Sequence, residues 1–430
     1  MTILEASAKI NESVTISARV AVVRDHGKLK FLDLLDRSGV IQVVVKNGEQ
    51  ISPQDTIQIT GTIKSRPDNL INTEIETGKV ELSAEEIIIL SHSQELPFDL
   101  SAKDLDLAID TLLDHRPLTL RNPKQRDIFV VQSIIADTFS TTLRKLGFTQ
   151  IFTPKIVATA TEGGANLFKV DYFGRKAYLA QSPQFYKQIM AGVFDRVYEI
   201  GPVFRAEEHD TSRHVNEYTS LDLEMGYINS FSEIMEIEEK FLFELIDELS
   251  GKASRIFSDF NVELPKLPKK IPIISLADAQ LLIKKEFGRD NTSEPDLEPQ
   301  DEKDLSSYFL KNHDTDFVFV TRFPTSKRPF YAYPSIDDST VTDSFDLIYR
   351  GIEVTTGGQR IHDYDQLVAK IRQRNLDPKN FESYLEAFRF GMPPHGGLAI
   401  GLERLTAKFL NLDNVKKATL FPRDLKRITP

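Results

Sequence analysis

Apolar and polar positions alternate along Val14 to Val22. The same pattern returns in short runs at Leu29 to Leu35, Val40 to Val45, Thr56 to Ile63 and Glu81 to Leu90. Period-two alternation lines one face of a strand with apolar side chains. Between the runs stand His26-Gly27, Arg37-Ser38-Gly39, Asn47-Gly48 and Arg66-Pro67-Asp68-Asn69, residues suited to turns. Five short strands in fewer than about a hundred residues predict a small Greek-key barrel such as the OB-fold. Pattern alone leaves any other small β-barrel open.

The period changes at residue 123. Ile128, Val131, Ile135, Phe139, Leu143 and Leu146 form one stripe at helical spacing. Asn122 suits the cap, Pro123 the first turn and Gly147 the end, so a helix is expected from Pro123 to Leu146. Beyond it the pattern predicts strands at 148–152, 176–180, 196–204, 219–227, 316–322, 343–355 and 396–400. Helices are expected at 183–192, 232–250, 275–287, 364–374, 380–389 and 401–411. The acidic stretch 288–304 reads as an exposed loop. Such an order implies an α+β domain on a mixed or antiparallel sheet. The chain thus divides into a barrel at 1–95, a linker at 96–120 and an α+β domain at 121–430, consistent with its 430 residues.

Composition narrows the function. There is no cysteine, which excludes disulfides, thiolate nucleophiles and Cys-ligated zinc and suits a reducing cytoplasm. No run of about eighteen uninterrupted apolar residues suggests a membrane span. The start Met1 to Glu5 lacks the cationic segment of a secretory signal. Net charge is −11, and residues 1–95 carry ten Lys/Arg against fourteen Asp/Glu. Bulk charge therefore gives no support to a nucleic-acid partner, and that claim must come from specific residues.

Several constellations could carry chemistry. In Phe204-Arg205-Ala206-Glu207-Glu208, Arg205 and Glu207 would share one strand face. In Ser220-Leu221-Asp222-Leu223-Glu224-Met225, Asp222 and Glu224 would share another, opposite Leu221, Leu223 and Met225. Two such strands predict a hairpin with an apolar underside and a charged upper face; a solvated sheet surface is the bland alternative. Ser182-Pro183 reads as a helix start, and Gln184 and Lys187 would share a helical face, as would any exposed surface lysine. Asp346 and Glu353 could hold a hard cation through oxygen. Their odd spacing of seven requires a bulge or twist near Gly351 if they share it. His395-Gly396-Gly397 to Gly401-Leu402-Glu403-Arg404 reads as a Gly-rich strand entering a helix, with Arg404 near the helix start. Thr161-Glu162-Gly163-Gly164 is an acidic loop.

Taken in order, these segments resemble class II aminoacyl-tRNA synthetases, specifically the aspartyl enzymes of archaeal and eukaryotic type. Gly147-Phe148 through Thr153-Pro154 resembles motif 1, the dimer-interface element. Phe204 to Glu224 resembles motif 2, and Gly396 to Arg404 motif 3. Gln181-Ser182-Pro183-Gln184, Gln359-Arg360-Ile361-His362 and Leu420-Phe421-Pro422-Arg423-Asp424 extend the likeness. It covers nearly the whole chain, and the large insertion of bacterial aspartyl enzymes is absent between motifs 2 and 3.

The resemblance implies an N-terminal OB-fold anticodon-binding barrel and a catalytic domain with a central antiparallel sheet flanked by helices. It implies a ligase that joins L-aspartate to ATP, releases pyrophosphate and loads tRNA(Asp), with Mg2+ and as a cytoplasmic homodimer. A form that also aspartylates tRNA(Asn), and an asparaginyl enzyme, are the alternatives; a silent paralogue that only binds RNA is a further one. Arg205 would bridge the amino acid's α-carboxylate and the α-phosphate. Glu207 would contact the adenine amino group, Tyr218 would stack on adenine, and Arg404 would cover its other face. His214 would reach the γ-phosphate, and Asp346 and Glu353 would hold Mg2+. Arg360 and Lys187 would bind the substrate's β-carboxylate, with Asp222 orienting Lys187. Glu162 and Gln184 would hold the ammonium. Thr356 stands where relatives often have serine, and Asn166, where relatives usually have glutamate, takes no role. Asparaginyl enzymes usually lack a lysine equivalent to Lys187, which favours aspartate. In the barrel, Phe31 and Gln42 keep the spacing for stacking on and hydrogen-bonding an anticodon base, with Glu81 as a third contact. Ala18-Arg19-Val20-Ala21 departs from the usual Gly-Trp-containing strand.

Overall fold

The computed structural model describes residues 1–27, 29–46, 50–159, 166–208 and 210–430. The chain forms two compact units, Met1–Leu107 and Ala108–Pro430.

In the first unit a one-turn helix, α1 (Ile3–Ser7), precedes β1 (Ser13–Asp25), β2 (Leu29–Leu35), β3 (Val40–Lys46), β4 (Thr56–Ser65) and β5 (Val80–Ser91). These close a barrel in the order β1-β2-β3-β5-β4. Alternation dictates the interior: Val14, Ile16, Leu32, Leu34, Ile41, Val43, Ile57, Ile59 and Leu82 all point inward and are buried. The five expected strands are all present.

The second unit opens with α2 (Ile109–Asp114), α3 (Arg116–Thr119) and α4 (Pro123–Lys145). The segment expected as a linker therefore ends in two short helices of this unit. Arg116 explains their attachment. Its guanidinium is fully buried and donates to the carbonyls of Lys417, Thr419 and Leu420 at 2.9 Å each.

There follow β6 (Thr149–Gln150), β7 (Ile156–Val157), β8 (Lys169–Tyr172), β9 (Arg175–Leu179), α5 (Gln184–Phe194), β10 (Arg196–Phe204), β11 (Glu217–Gly226), α6 (Ser232–Lys252), α7 (Ser254–Asp259), β12 (Ile273–Ser275), α8 (Leu276–Phe287), α9 (Pro299–His313), β13 (Phe317–Thr321), β14 (Ser344–Tyr349), β15 (Ile352–Arg360), α10 (Tyr364–Gln373), α11 (Glu382–Arg389), β16 (His395–Gly401) and α12 (Leu402–Phe409). Eight strands make one sheet, β12-β13-β14-β15-β16-β11-β10-β6. Its six central strands pair antiparallel, while β12 and β6 join the edges in parallel. One face carries Leu221, Leu223, Met225, Phe345, Leu347, Leu398 and Ile400 onto the stripes of α4 and α6. The opposite face of the central strands carries the polar residues considered below.

Two expectations change. Residues 288–304 are not one exposed loop, because α9 begins at Pro299 behind a Glu298/Asp301 capping box. Asp301 is buried and receives Arg289 at 2.8 Å and Asn291 at 3.0 Å; the acidic run is consumed in capping and pairing. The segment 343–355 is not one strand but the hairpin β14–β15, turning at Arg350 and Gly351, both with positive φ.

Candidate active site

The loop between β10 and β11 is built around Asn216. Its side-chain amide donates to the carbonyls of Arg205 (2.8 Å) and Glu207 (3.0 Å), and its own carbonyl accepts the Arg205 N–H. Ala206 N–H donates to the carbonyl of Asn166 at 2.8 Å, which gives that residue a backbone role. β10 ends at Phe204, so Arg205 and Glu207 lie on the loop and not on a shared strand face. Both still line one pocket with His214, Tyr218, Glu353, Thr356 and Arg404. The Arg205 guanidinium stands 5.7 Å from the Tyr218 ring centroid. His214 Nε2 is 3.6 Å from Glu207, and Arg404 donates to the Glu353 carbonyl at 2.8 Å. Glu403, next to it, accepts the Thr219 N–H at 3.0 Å on each oxygen, and burial pushes its carboxyl up to about 7.

The β14–β15 register shifts between Leu347 and Ile348, so Asp346 opposes Thr356 while Ile348 opposes Glu353. The turn at Arg350 and Gly351 sets Glu353 opposite Ile348 and so on the face of Asp346 despite their odd spacing, and the bulge brings Thr356 onto that face as well. Glu353 Oε1 accepts from Thr356 Oγ1 at 2.9 Å. Asp346 is buried, its Oδ2 paired with Arg328 at 2.7 Å and its Oδ1 without a hydrogen-bond partner among the described residues. Desolvation pushes the Asp346 carboxyl up to about 7. A partnerless buried oxygen beside a second carboxylate is a donor set that fits a hard cation.

Farther along the same face lies a second charged cluster. Lys187 enters from α5 and donates to Asp222 Oδ1 (2.8 Å) and the Leu398 carbonyl (2.9 Å), with Glu224 at 3.6 Å. Arg360 comes from the end of β15 and donates to Glu224 Oε1 (3.0 Å) and the Gly397 carbonyl (3.0 Å). Its guanidinium stands 5.6 Å from the Tyr331 ring centroid. All four charged side chains are buried. Register explains their meeting: Asp222 opposes Ala399, which opposes Thr356, and Glu224 opposes Gly397, which opposes Gly358. A Cβ on Gly397 would stand 2.2 Å from a Glu224 oxygen, so only glycine leaves room for that carboxylate over the strand. Sequence reasoning placed Asp222 beside Lys187 but gave Glu224 no role, and it missed Asn216. The alternation that set Glu224 on the face of Asp222 was the available signal.

Gln184 is buried at the start of α5, its backbone N–H donating to Ser182 Oγ at 3.1 Å. Its side-chain Nε2 has no partner among the described residues. Glu162 lies outside the described residues.

On the barrel, Phe31, Gln42 and Glu81 share the outward face. Phe31 opposes Val44, and Val44 opposes Ser83, two residues from Gln42 and Glu81 respectively. Gln42 Nε2 donates to Glu81 Oε2 at 3.3 Å, and Arg66 approaches the same oxygen at 3.6 Å. Phe31 packs edge-on against His26 at 5.5 Å.

The model for class II tRNA synthetases (D, K and N) matches residues 108–425, and that for the OB-fold nucleic acid binding domain matches 14–90. The chain belongs to the class II tRNA synthetases, enzymes whose substrates are ATP, an amino acid and tRNA. It is 43% identical over 425 residues to the aspartate–tRNA(Asp/Asn) ligase of Deinococcus radiodurans, covering 97% of this chain and 96% of that one. It is 38% identical over 438 residues to the aspartate–tRNA(Asp) ligase of Pyrococcus abyssi, covering 99% and 98%. Asparaginyl-tRNA synthetase from Pyrococcus horikoshii, solved with asparaginyl-adenylate, superposes with a TM-score of 0.91 at 29% identity, covering 100% and 99%. Among the described residues no helix is long and apolar enough to cross a membrane.

Proposed function

We propose that the chain activates L-aspartate with ATP and transfers it to tRNA(Asp). The observation that carries this reading is the buried Lys187–Asp222–Glu224–Arg360 cluster. A buried carboxylate needs cationic partners, which a neutral amide does not. The two full-length ligases above carry aspartate in their names, whereas the asparaginyl likeness extends to the fold at lower identity.

In the first step an aspartate α-carboxylate oxygen attacks the α-phosphorus of ATP, and the bond to pyrophosphate breaks. Two anions must be held in line, so the protein acts by positioning and charge neutralisation. Arg205 spans the α-carboxylate and α-phosphate. Tyr218 and Arg404 sandwich adenine while Glu207 accepts from its amino group, and His214 reaches the γ-phosphate. Thr356 and Gln184 orient the amino acid, and Gln184 shares its ammonium with Glu162. Lys187 and Arg360 take the β-carboxylate. Asp346 and Glu353 would hold Mg2+, which would supply charge neutralisation at the phosphates. Phe31, Gln42 and Glu81 contact the anticodon. The enzyme works in the cytoplasm as a homodimer, with Phe152, 82% exposed beside Pro154, in the interface.

A second reading extends the product to aspartyl-tRNA(Asn). It is favoured by the name of the Deinococcus ligase, at 43% identity against 38% for the tRNA(Asp) ligase. ATP–pyrophosphate exchange with aspartate and not asparagine is the expected outcome; the reverse overturns the substrate. Charging of purified tRNA(Asp) and tRNA(Asn) then separates the two readings.

A further inference from the structure

The C-terminal segment reaches the nucleotide loop through a connected set of polar contacts that the reaction itself does not use. Asp210 sits on the β10–β11 loop, between Glu207 and His214. Its Oδ1 receives Lys416 Nζ at 2.7 Å, and its Oδ2 receives Lys426 Nζ at 2.9 Å. Lys416 is nearly buried and also holds Asp424 at 2.6 Å. Asp424 in turn accepts the backbone N–H groups of Lys426 and Arg427, fixing the turn that presents Lys426. Two backbone bonds run parallel to the ionic ones: Val415 N–H to the Ser212 carbonyl (2.9 Å) and Asn216 N–H to the Arg423 carbonyl (2.7 Å). Asn216 is the residue whose amide gathers the carbonyls of Arg205 and Glu207. The tail is itself anchored, since Arg427 pairs with Asp114 and Arg116 holds the carbonyls of Lys417, Thr419 and Leu420.

We propose that Asp210 is a positioning residue for the nucleotide, latching the 205–216 loop to the C-terminal segment through Lys416 and Lys426. An isolated exposed ion pair does little. Here one carboxylate bridges two lysines, one of them screened from water and pinned by a second aspartate, and both sit on a backbone tied to Asn216. The latch fixes the loop carrying Glu207 and His214 before ATP arrives, so binding need not order it. The cluster for aspartate's β-carboxylate stands on β11, β15 and α5, outside this loop, and only Arg205, at the loop's start, also faces the amino acid. The proposal rests on the nucleotide reading of the loop, and its test separates the two.

The test compares wild type with Asp210→Ala and Asp210→Glu. Hydrogen exchange of residues 205–216 reads the latch without any activity: the alanine variant is expected to exchange faster there, with α4 unchanged. In ATP–pyrophosphate exchange, Asp210→Ala raises the ATP KM about fivefold, raises the aspartate KM by a clearly smaller factor, and is partly rescued by Asp210→Glu. Adding Lys416→Met to Asp210→Ala then changes the ATP KM by less than it does in wild type. Unchanged exchange in the loop overturns the latch. Faster exchange with an unchanged ATP KM, or equal losses for ATP and aspartate, overturns its role in positioning the nucleotide. Wild-type protein that exchanges no pyrophosphate with any amino acid counts against the enzymatic reading alone, because the hydrogen-exchange arm remains valid.

Discussion

Replacing Lys187 by methionine separates charge recognition from fold stability. The ammonium is 1% exposed and sits 2.8 Å from Asp222, 2.9 Å from the Leu398 carbonyl and 3.6 Å from Glu224. Methionine keeps most of the length and loses the charge. Asp222 is then left buried without its cation, which destabilises by about 3–5 kcal/mol. Removing Asp222 as well, in Lys187→Met/Asp222→Leu, relieves that penalty, because an apolar pair of similar size replaces a desolvated ion pair. Activity follows a different course. On the proposed assignment the substrate's β-carboxylate loses one of its two cations in either variant, a loss of about 3 kcal/mol. At 1.36 kcal/mol per decade that is about two orders of magnitude in kcat/KM for aspartate. The proposed ATP site lies in the separate pocket lined by Arg205, Tyr218 and Arg404, so ATP affinity should change by less than about threefold. Urea unfolding reads the first effect; pyrophosphate exchange and equilibrium ATP titration read the second. If the double variant regains aspartate activation along with stability, Lys187 serves the fold and the specificity argument fails. Parallel loss of ATP binding in the single variant refutes it equally.

Three further outcomes follow from the geometry. Arg116→Met strips three carbonyls of a buried donor and should lower stability by about 3 kcal/mol in urea unfolding; an unmoved midpoint would refute the staple. Glu238 on α6 is buried, accepts from Thr355 and has a second oxygen without a partner among the described residues; burial chiefly, then the Glu239 and Asp346 charges, push it up to about 8 from 4.5. The folded chain thus keeps a proton that the unfolded chain releases, so this contribution is intact below about pH 4.5 and declines as pH rises to about 8, by about 5 kcal/mol. Glu238→Gln should flatten that part of a stability–pH profile, and a profile identical to wild type removes the effect. Phe31→Ala should weaken tRNA by about 1–3 kcal/mol, read as a raised KM for tRNA in charging with pyrophosphate exchange untouched; an unchanged tRNA KM rejects the stacking role.

The barrel strands and the long helix were legible because their signals are local. Val14 to Val22 alternates within nine residues, and Asn122-Pro123 marks a helix start by itself. Shorter or charged elements escaped. β7, β8 and β12 have two to four residues each, too few to display a period. The start of α9 was hidden because Asp301 and Asp304 read as solvated charge, whereas Arg289 and the capping box draw them in. The β14–β15 turn was read as a continuation of one strand, since Arg350 carries no turn signal of its own and adopts positive φ beside Gly351.

The candidate site shows the same limit at longer range. Lys187, Asp222, Glu224 and Arg360 come from one helix and two strands, and β16 lies between those strands and supplies the carbonyls of Gly397 and Leu398. No local pattern encodes a register across three strands, so Glu224 read as one more surface acid. Yet its position completes the charge argument. Two cations and two anions leave the cluster neutral, and each anion fixes one cation in place. A substrate carboxylate bound there would therefore meet two oriented donors that need not reorganise, whereas two free cations side by side would repel and spread. On the proposed assignment the carboxylates would make the pocket selective by holding the cations still, so loss of Glu224 should damage aspartate binding although it carries the same sign as the substrate.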